Sequence, residues 1–137
     1  MARDVIHDQV KNALVKDGWM ITNDPYTLTY EEIEVYADLA AERTLAAEQN
    51  GQKIAVEIKS FSGRSPIQNL KEALGQYDIY RSFIELLEPD RKLYLAINDK
   101  VYAGLFSLKA IQMIRRRYEI ALVVVKIETE EIVEWID

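Results

Sequence analysis

The segment KIAVEIKSF, residues 53–61, carries a carboxylate and an ammonium at alternate positions of an otherwise apolar stretch. Side chains alternate between the two faces of a strand, so the aliphatic positions are predicted to share one face: Ile54, Val56 and Ile58. Glu57 and Lys59 then share the opposite face with Ala55. Two interpretations of that face are open: a half-exposed strand with solvated charges, or an active site.

The residues before this segment predict its neighbours. Asn50-Gly51 is a strong signal for a tight β-hairpin, so AERTLAAEQ at 41–49 is predicted as an antiparallel strand, although its composition also suits a helix. EIEVYADLA at 32–40 alternates as well and is predicted as another strand of the same meander, with Asp38 on its polar face. WMIT at 19–22 is a further short strand candidate. Asp38, Glu57 and Lys59 can therefore lie together.

The remaining patterns predict helices and strands in alternation. A helix is predicted from Asp4 to Asp17, ended by Gly18, and a long one begins with Ser65 as N-cap and Pro66 at its first position. Strands are predicted for KLYLAI at 92–97, IALVVVKI at 120–127 and EIVEWI at 131–136. A third helix is predicted for SLKAIQMIRRRY at 107–118. The segment 99–106 is ambiguous. The order predicts one mixed α/β domain, residues 1–137, with helices packed on a central mixed sheet.

Composition narrows the chemistry that such a domain can carry. The chain has no cysteine and a single histidine, His7, so a metal would have to be held by oxygen ligands. Its formal net charge is −6, which disfavours strong sequence-independent binding to DNA phosphates. It has neither a membrane-length apolar run nor a signal peptide, so a cytoplasmic protein without membrane association is expected.

Asp38, Glu57 and Lys59 together suggest a divalent-metal site. Mg²⁺ prefers a few carboxylate oxygens, waters and substrate phosphate oxygens to a complete protein cage. A metal held in this way lowers the pKa of a bound water and stabilises charge that develops on a phosphodiester. The nearby lysine can orient that water or stabilise the transition state.

These residues carry a resemblance to known proteins. Asp38 followed by Glu57-Ile58-Lys59, in the order helix, meander, helix, strand, resembles the PD-(D/E)XK nuclease superfamily, which has the restriction-endonuclease-like fold. Ala37 stands where that superfamily often has proline. Across almost the whole chain, three blocks are similar to the XisH family, the fdxN-element excision controlling factors of cyanobacteria: YADLAAERTLAAEQNGQKIAVEIKSF, EALGQYDIYR and EIVEWI.

The resemblance implies roles for matching residues. Asp38 and Glu57 would bind Mg²⁺ or Mn²⁺, the backbone carbonyl of Ile58 would be a further ligand, and Lys59 would be the catalytic lysine. It also implies an XisI-type partner protein and a site-specific recombinase as partners.

QYDIY at 76–80 resembles the Gln-x-x-x-Tyr motif of RecB-type members of the superfamily. Gln76 and Tyr80 lie at i and i+4 of the predicted long helix, where they would support the lysine or the DNA. The alternative is that Tyr80 is amphipathic filler at a helix edge.

Several charged residues have two possible roles. Glu42 could assist a metal, although a salt bridge or a solvated position is more common. A histidine placed like His7 is more often a capping or packed residue than a catalytic base. Asp8 follows it on the same predicted helix and could reach the active-site cleft that this helix would border. The run Arg115–Arg117 could contact phosphate, yet arginines in the last turn of a helix also suit its macrodipole.

Two functions follow from the pattern and the resemblance. The first is metal-dependent cleavage of DNA during programmed DNA rearrangement, with Asp38, Glu57, Lys59, Gln76 and Tyr80 as site residues. The second is a non-catalytic accessory factor that binds a partner protein or the recombinase complex, which the acidic composition favours. A general repair or restriction nuclease is a third possibility. A homodimer is expected, because one active site of this kind faces one phosphodiester and cutting both strands of DNA then takes two copies.

Overall fold

The computed structural model describes residues 6–30, 33–35, 43–62 and 65–137. These residues form four α-helices: α1 (His7–Lys16), α2 (Pro66–Leu87), α3 (Asp99–Ala103) and α4 (Lys109–Arg117). They also form eight strands: β1 (Met20–Asn23), β2 (Leu28–Tyr30), β3 (Ile33–Val35), β4 (Arg43–Gln49), β5 (Gln52–Ile58), β6 (Arg91–Asn98), β7 (Leu122–Lys126) and β8 (Glu131–Ile136). Within this part of the chain, none of the helices combines the length and the apolar character needed to cross a bilayer.

Six of the strands in the described ranges form one mixed sheet in the order β1-β4-β5-β6-β7-β8. The central pairs β5/β6 and β6/β7 are parallel, whereas the outer pairs are antiparallel. β5 is therefore an interior strand, paired on both of its edges. The predicted mixed α/β architecture, with helices on a central mixed sheet, is confirmed.

Each face of the sheet is covered by a different helix. On one face, α1 contributes buried aliphatic residues that pack in one cluster with the strands: Val10, Ala13 and Leu14 with Leu45, Val56 and Ile58. On the other face, α2 contributes five buried residues that pack in a second cluster with the strands: Leu70, Ala73, Tyr77, Tyr80 and Ile84 with Ala46, Ala55 and Leu95. The side chains of β5 thus alternate between an α1 layer and an α2 layer.

Local signals fix the helix boundaries. α1 ends at Lys16, and Gly18 follows with a φ of 96°, a left-handed conformation that glycine adopts without a steric penalty. α2 begins at Pro66, where the hydroxyl of Ser65 accepts a hydrogen bond from the amide of Gln68 at 3.2 Å. The predicted end of α1 and the predicted start of α2 are confirmed, whereas α1 begins at His7 and its predicted start, Asp4, lies outside the described residues.

The ambiguous segment 99–106 is helical. It forms α3, which Asn98 caps by accepting a hydrogen bond from the amide of Val101 at 2.7 Å, followed by a short 3₁₀ turn, Leu105–Ser107.

The prediction for residues 32–40 is wrong in one respect. Residues 33–35 do form a strand, but β3 pairs with β2 in a separate two-stranded sheet and not with the main one. The reason is that β1 and β5 occupy the two edges of β4, so a further strand has no free backbone groups to bond there. Asp38 and Glu42 lie outside the described residues.

Candidate functional site

The C-terminal end of β5 carries the first two candidate side chains. Glu57 lies opposite Thr44 on β4 and Leu95 on β6. Beyond the end of the strand, the amide of Lys59 still donates to the carbonyl of Ala96 at 3.1 Å, which extends the parallel ladder by one residue. Backbone pairing therefore holds both positions in place.

The predicted alternation along β5 is confirmed, but the charges are not solvated. Val56 and Ile58 pack in the α1 layer, while Ala55, two residues before Glu57, packs in the α2 layer. Glu57 is only 1% exposed and Lys59 only 4%. The interpretation of this face as a half-exposed strand with solvated charges is therefore wrong. The predicted role of Ile58 concerns its carbonyl alone, because its side chain is fully buried on the opposite face.

The contact that positions Lys59 involves a residue that the sequence analysis missed. The ammonium of Lys59 lies 3.3 Å from Oε1 of Glu72, in the second turn of α2. Glu72 precedes Gln76 by four residues and Tyr80 by eight, so the three follow one side of the helix. The sequence signal for Glu72 is this spacing, because an acidic residue stands four positions before the Gln-x-x-x-Tyr motif.

The two motif residues on α2 differ in their surroundings. Tyr80 is 3% exposed and belongs to the α2 layer of the core, so it does not lie at an exposed helix edge. Gln76 is half-buried, and within the described ranges its side-chain Oε1 is a buried atom without a hydrogen-bond partner. Their supporting role towards Lys59 or DNA stays a prediction.

Tyr77, between them in sequence, ties α2 to the sheet. Its hydroxyl donates to the carbonyl of Leu93 at 2.9 Å and accepts from the amide of Ala121 at 3.1 Å, so it bridges β6 and the residue before β7. Burial raises the pKa of Tyr77, while the hydrogen bond with the amide of Ala121 and the charge of Arg81 oppose the shift. The charge of Glu57 adds a smaller contribution in the raising direction.

A metal site cannot be completed from the described side chains. In residues 6–30, 33–35, 43–62 and 65–137, no three His, Cys, Asp or Glu side chains are grouped so that they could hold a metal ion. Of the two carboxylates predicted as ligands, only Glu57 falls within those ranges. Asp38 is five residues before Arg43, whose backbone pairs with Ile58 beside the site.

His7 is a packed residue with acidic and basic neighbours. It is 1% exposed, its Nε2 lies 3.0 Å from Oδ2 of Asp24, and Lys11 donates to the same oxygen at 2.9 Å. Burial opposes ionisation of Asp24, but the hydrogen bonds from Lys11 and His7 outweigh it and lower the pKa of this carboxyl. The expectation of a packed histidine is confirmed, whereas Asp8 is exposed in the first turn of α1.

Comparison with known proteins identifies the family. The family model described as XisH protein matches residues 1–133 of the chain. This chain belongs to the XisH family. The resemblance that the sequence carries is therefore confirmed.

Two solved structures are similar to this XisH family member. One is described as an XisH family protein from Nostoc punctiforme PCC 73102, with a TM-score of 0.90 and 38% identity over 98% of this chain and 100% of that chain. The other is described as an fdxN element excision controlling factor protein from Anabaena variabilis, with a TM-score of 0.90 and 41% identity over the same shares. No curated protein matches the chain.

One arginine of the run in this XisH protein, Arg115, has a structural role. Arg115 donates to the carbonyl of Ile120 at 3.0 Å, and Arg81 of α2 donates to the carbonyls of Tyr118 and Glu119 at 2.8 and 3.0 Å. These bonds satisfy carbonyls in the turn that follows α4, and the two alternatives for the run as a whole stay open. Arg81 and Arg115 border an open groove of about 590 Å³. This groove lies at the first residues of β6, at the opposite end of that strand from Ala96.

Proposed function

We propose that this XisH protein takes part in the excision of a DNA element and that its site cleaves phosphodiester bonds with a divalent metal. The first part is supported by the Anabaena variabilis relative, which is described as an fdxN element excision controlling factor and is 41% identical. The second part is supported by the residues at the end of β5. Asp38, Glu57 and Lys59 are the residues proposed to perform the cleavage.

The observation that carries the proposal is the burial of Glu57 and Lys59. Both are at least 96% removed from solvent at the C-terminal end of an interior strand. Removing a carboxylate or an ammonium from water costs several kcal/mol unless it is paired and hydrogen-bonded, so a strand that needed only a polar outer face would expose them. Ionisable groups buried together in this way are common at functional sites.

The position of Arg43 makes the participation of Asp38 possible. Asp38 precedes Arg43 by five positions, a stretch of chain that spans at most about 18 Å when fully extended. Arg43 pairs with Ile58 at the end of β5 that carries Glu57 and Lys59. We therefore propose that Asp38 and Glu57 share the site.

The donor set suits Mg²⁺ or Mn²⁺, because carboxylate and carbonyl oxygens are the ligands that these hard cations prefer. Asp38, Glu57 and the carbonyl of Ile58 would hold the ion, which supplies a more acidic bound water and stabilises negative charge on a phosphate. Lys59 would place its ammonium against the phosphate that is attacked and stabilise the developing charge. Gln76 and Tyr80 would support Lys59 from α2.

A nicking assay tests this function. Supercoiled DNA is incubated with the protein and Mg²⁺ or Mn²⁺, and with Glu57→Gln, Lys59→Met and the control Glu85→Gln, an exposed carboxylate of the same helix that carries Glu72. We expect metal-dependent nicking that each site variant lowers by about 100-fold or more, while the control retains it. Calorimetry should show metal binding that Asp38→Ala and Glu57→Ala abolish.

A second function is favoured by the charge of the chain. With 23 acidic and 17 basic residues, the protein carries a net charge of −6, which suits a protein partner better than a phosphate backbone. In that case the chain would be a non-catalytic accessory factor bound to an XisI-type protein or to the recombinase. Partner binding that survives Glu57→Gln, together with the absence of nicking by the wild-type protein, would favour this function over cleavage.

A further inference from the structure

We infer that the open groove at the first residues of β6 binds an acidic segment of a partner protein, and that arginine side chains recognise its carboxylates. The groove has a volume of about 590 Å³ and is lined by residues of α2, the end of α4 and β6. It lies at the opposite end of β6 from Ala96, to which the amide of Lys59 is bonded. The inference therefore goes beyond the proposed cleavage and does not depend on it.

The groove is basic although the chain as a whole is acidic. Of the described residues that line it, five are cationic: Arg81, Arg91, Lys92, Arg115 and Arg116. Three are acidic: Glu85, Glu119 and Asp137. The lining side chains thus carry an excess of two positive charges, whereas the chain has a net charge of −6. Such a local reversal of sign concentrates anions at the groove.

Two of the five cations are already paired with carboxylates. Arg91 donates to Oε1 of Glu88 at 2.6 Å, and Nζ of Lys92 lies 3.1 Å from Oδ1 of Asp137. The side chains that can receive a ligand are therefore the arginines of α2 and α4: Arg81, Arg115 and Arg116.

Arg81 and Arg115 converge on one turn beside the groove. They donate to the carbonyls of three consecutive residues, 118–120, at 2.8 to 3.0 Å. Two guanidinium groups so near each other repel, and an anion bound between them relieves this repulsion. A guanidinium has five N–H donors, and Arg81 makes three hydrogen bonds in the described part of the chain, so donors remain for a carboxylate.

Arg81 is also fixed before a ligand arrives. Besides its carbonyl partners, it donates to Oδ1 of Asp78 at 2.9 Å, and its guanidinium carbon lies 5.0 Å from the centre of the Tyr77 ring. An arginine side chain that is already ordered loses little rotamer entropy on binding. Its planar fork then matches the two oxygens of a carboxylate.

The shape and the charges of the groove favour an acidic peptide over duplex DNA. The side chain of Arg81 is 24% exposed and Arg115 is half-buried, so these cations are recessed, whereas the phosphates of a duplex lie on a stiff convex surface. Glu85 and Glu119 are exposed at the same groove and would repel a continuous phosphate backbone. A peptide carries its carboxylates on separate rotatable side chains, so it can meet the arginines and avoid both glutamates.

A defined peptide tests the inference. The probe is a short synthetic peptide in which glutamate and glycine alternate, and its control has glutamine in place of each glutamate. Binding is followed by NMR through the backbone amides of residues 118–120, with those of α1, on the other face of the sheet, as reference. Arg116→Gln is the test variant and Arg117→Gln the matched control, because both side chains are exposed and, of these two neighbours, only Arg116 lines the groove.

The glutamate peptide should shift the amides of residues 118–120 and leave those of α1 unchanged, while the glutamine peptide should shift neither. The Kd should rise about 3- to 5-fold in Arg116→Gln and stay within about twofold in Arg117→Gln. No shift at residues 118–120, or equal weakening in the two variants, would overturn the inference. A DNA duplex that shifts these amides when the peptide does not would assign the groove to nucleic acid and overturn it as well.

Discussion

His7 and Asp24 join the first turn of α1 to the residues after β1, with Nε2 of His7 3.0 Å from Oδ2 of Asp24. Lys11, one turn further along α1, donates to the same oxygen. The carboxylate thus fixes the start of a helix against the edge of the sheet.

Replacing this carboxylate should destabilise the fold. Asp24→Asn removes the acceptor charge that faces Lys11 and a buried His7, so we expect the free energy of unfolding to fall by about 1–3 kcal/mol. Urea denaturation at neutral pH measures it. Asp90→Asn is the control, because Asp90 is 71% exposed and lies 3.7 Å from Lys53 in a surface pair, and it should cost less than about 0.5 kcal/mol. Equal losses in the two variants would contradict the prediction.

Acid should act through the same group. The pKa of Asp24 lies below its ordinary value of 3.8, so folding is favoured by its ionised form. Its contribution is complete above about pH 5 and is lost as the pH falls through the lowered value, where the folded protein also binds the proton. The stability of wild type should therefore fall more steeply below pH 3.8 than that of Asp24→Asn, as followed by circular dichroism.

The hydroxyl of Tyr77 should contribute to stability and not to chemistry. Tyr77→Phe leaves the carbonyl of Leu93 and the amide of Ala121 without this partner in the core, so a loss of about 1–3 kcal/mol is expected. Tyr118→Phe, at a side chain that is 48% exposed, is the matched control and should change stability little. A normal urea midpoint for Tyr77→Phe would show that the bridge is dispensable.

Two glycines should respond to alanine in opposite ways. Gly18 has a φ of 96°, and a Cβ there would meet Nε2 of Gln49 at 2.6 Å, so Gly18→Ala should destabilise by about 1–2 kcal/mol. Gly75 lies in α2 with nothing within 4 Å of an added Cβ, and Gly75→Ala should stabilise by about 0.5–1 kcal/mol. Thermal unfolding of both variants checks the signs. The double variant Gly18→Ala, Gln49→Ala should recover the steric part of the loss.

Alkaline pH should weaken the fold through buried phenols. Burial is the main cause that raises the pKa of Tyr26 to about 12, with the charge of Glu88 adding to it and that of Arg91 opposing it. Between pH 10 and 12 the unfolded chain releases this proton while the folded chain keeps it, so stability falls as the pH rises through that window. Urea midpoints at about pH 9 and about pH 11 measure the slope. Tyr26→Phe should make it shallower.

Features set by adjacent residues could be predicted from the sequence. The Asn50-Gly51 turn and the start of α2 at Ser65-Pro66 each depend on two or three neighbouring residues, and both are where the sequence predicts them. The face of each side chain on β5 follows from the period of a strand.

Features set by distant residues could not be predicted in this way. Alternation in residues 32–40 indicates a strand but not which sheet that strand joins. The pattern therefore predicts β3 in the main sheet, whereas it pairs with β2 in a separate one. The burial of Glu57 and Lys59 depends on how closely α2 covers the sheet. Lys59 and Glu72 are 13 residues apart and meet through the path of the chain from β5 into α2. The helical spacing therefore indicates that Glu72 shares a side of α2 with Gln76 and Tyr80, but not that it contacts Lys59.

The interior place of β5 restricts how this protein can change during evolution. Adding or deleting one residue at the start of β5 would turn the side chains of Glu57 and Lys59 to the α1 side of the sheet. It would also turn the three aliphatic side chains of that face, Ile54, Val56 and Ile58, towards α2. The ladders to β4 and β6 would have to shift together, and both neighbours pack their own side chains in fixed layers. Insertion or deletion of a single residue in this strand is therefore not tolerated.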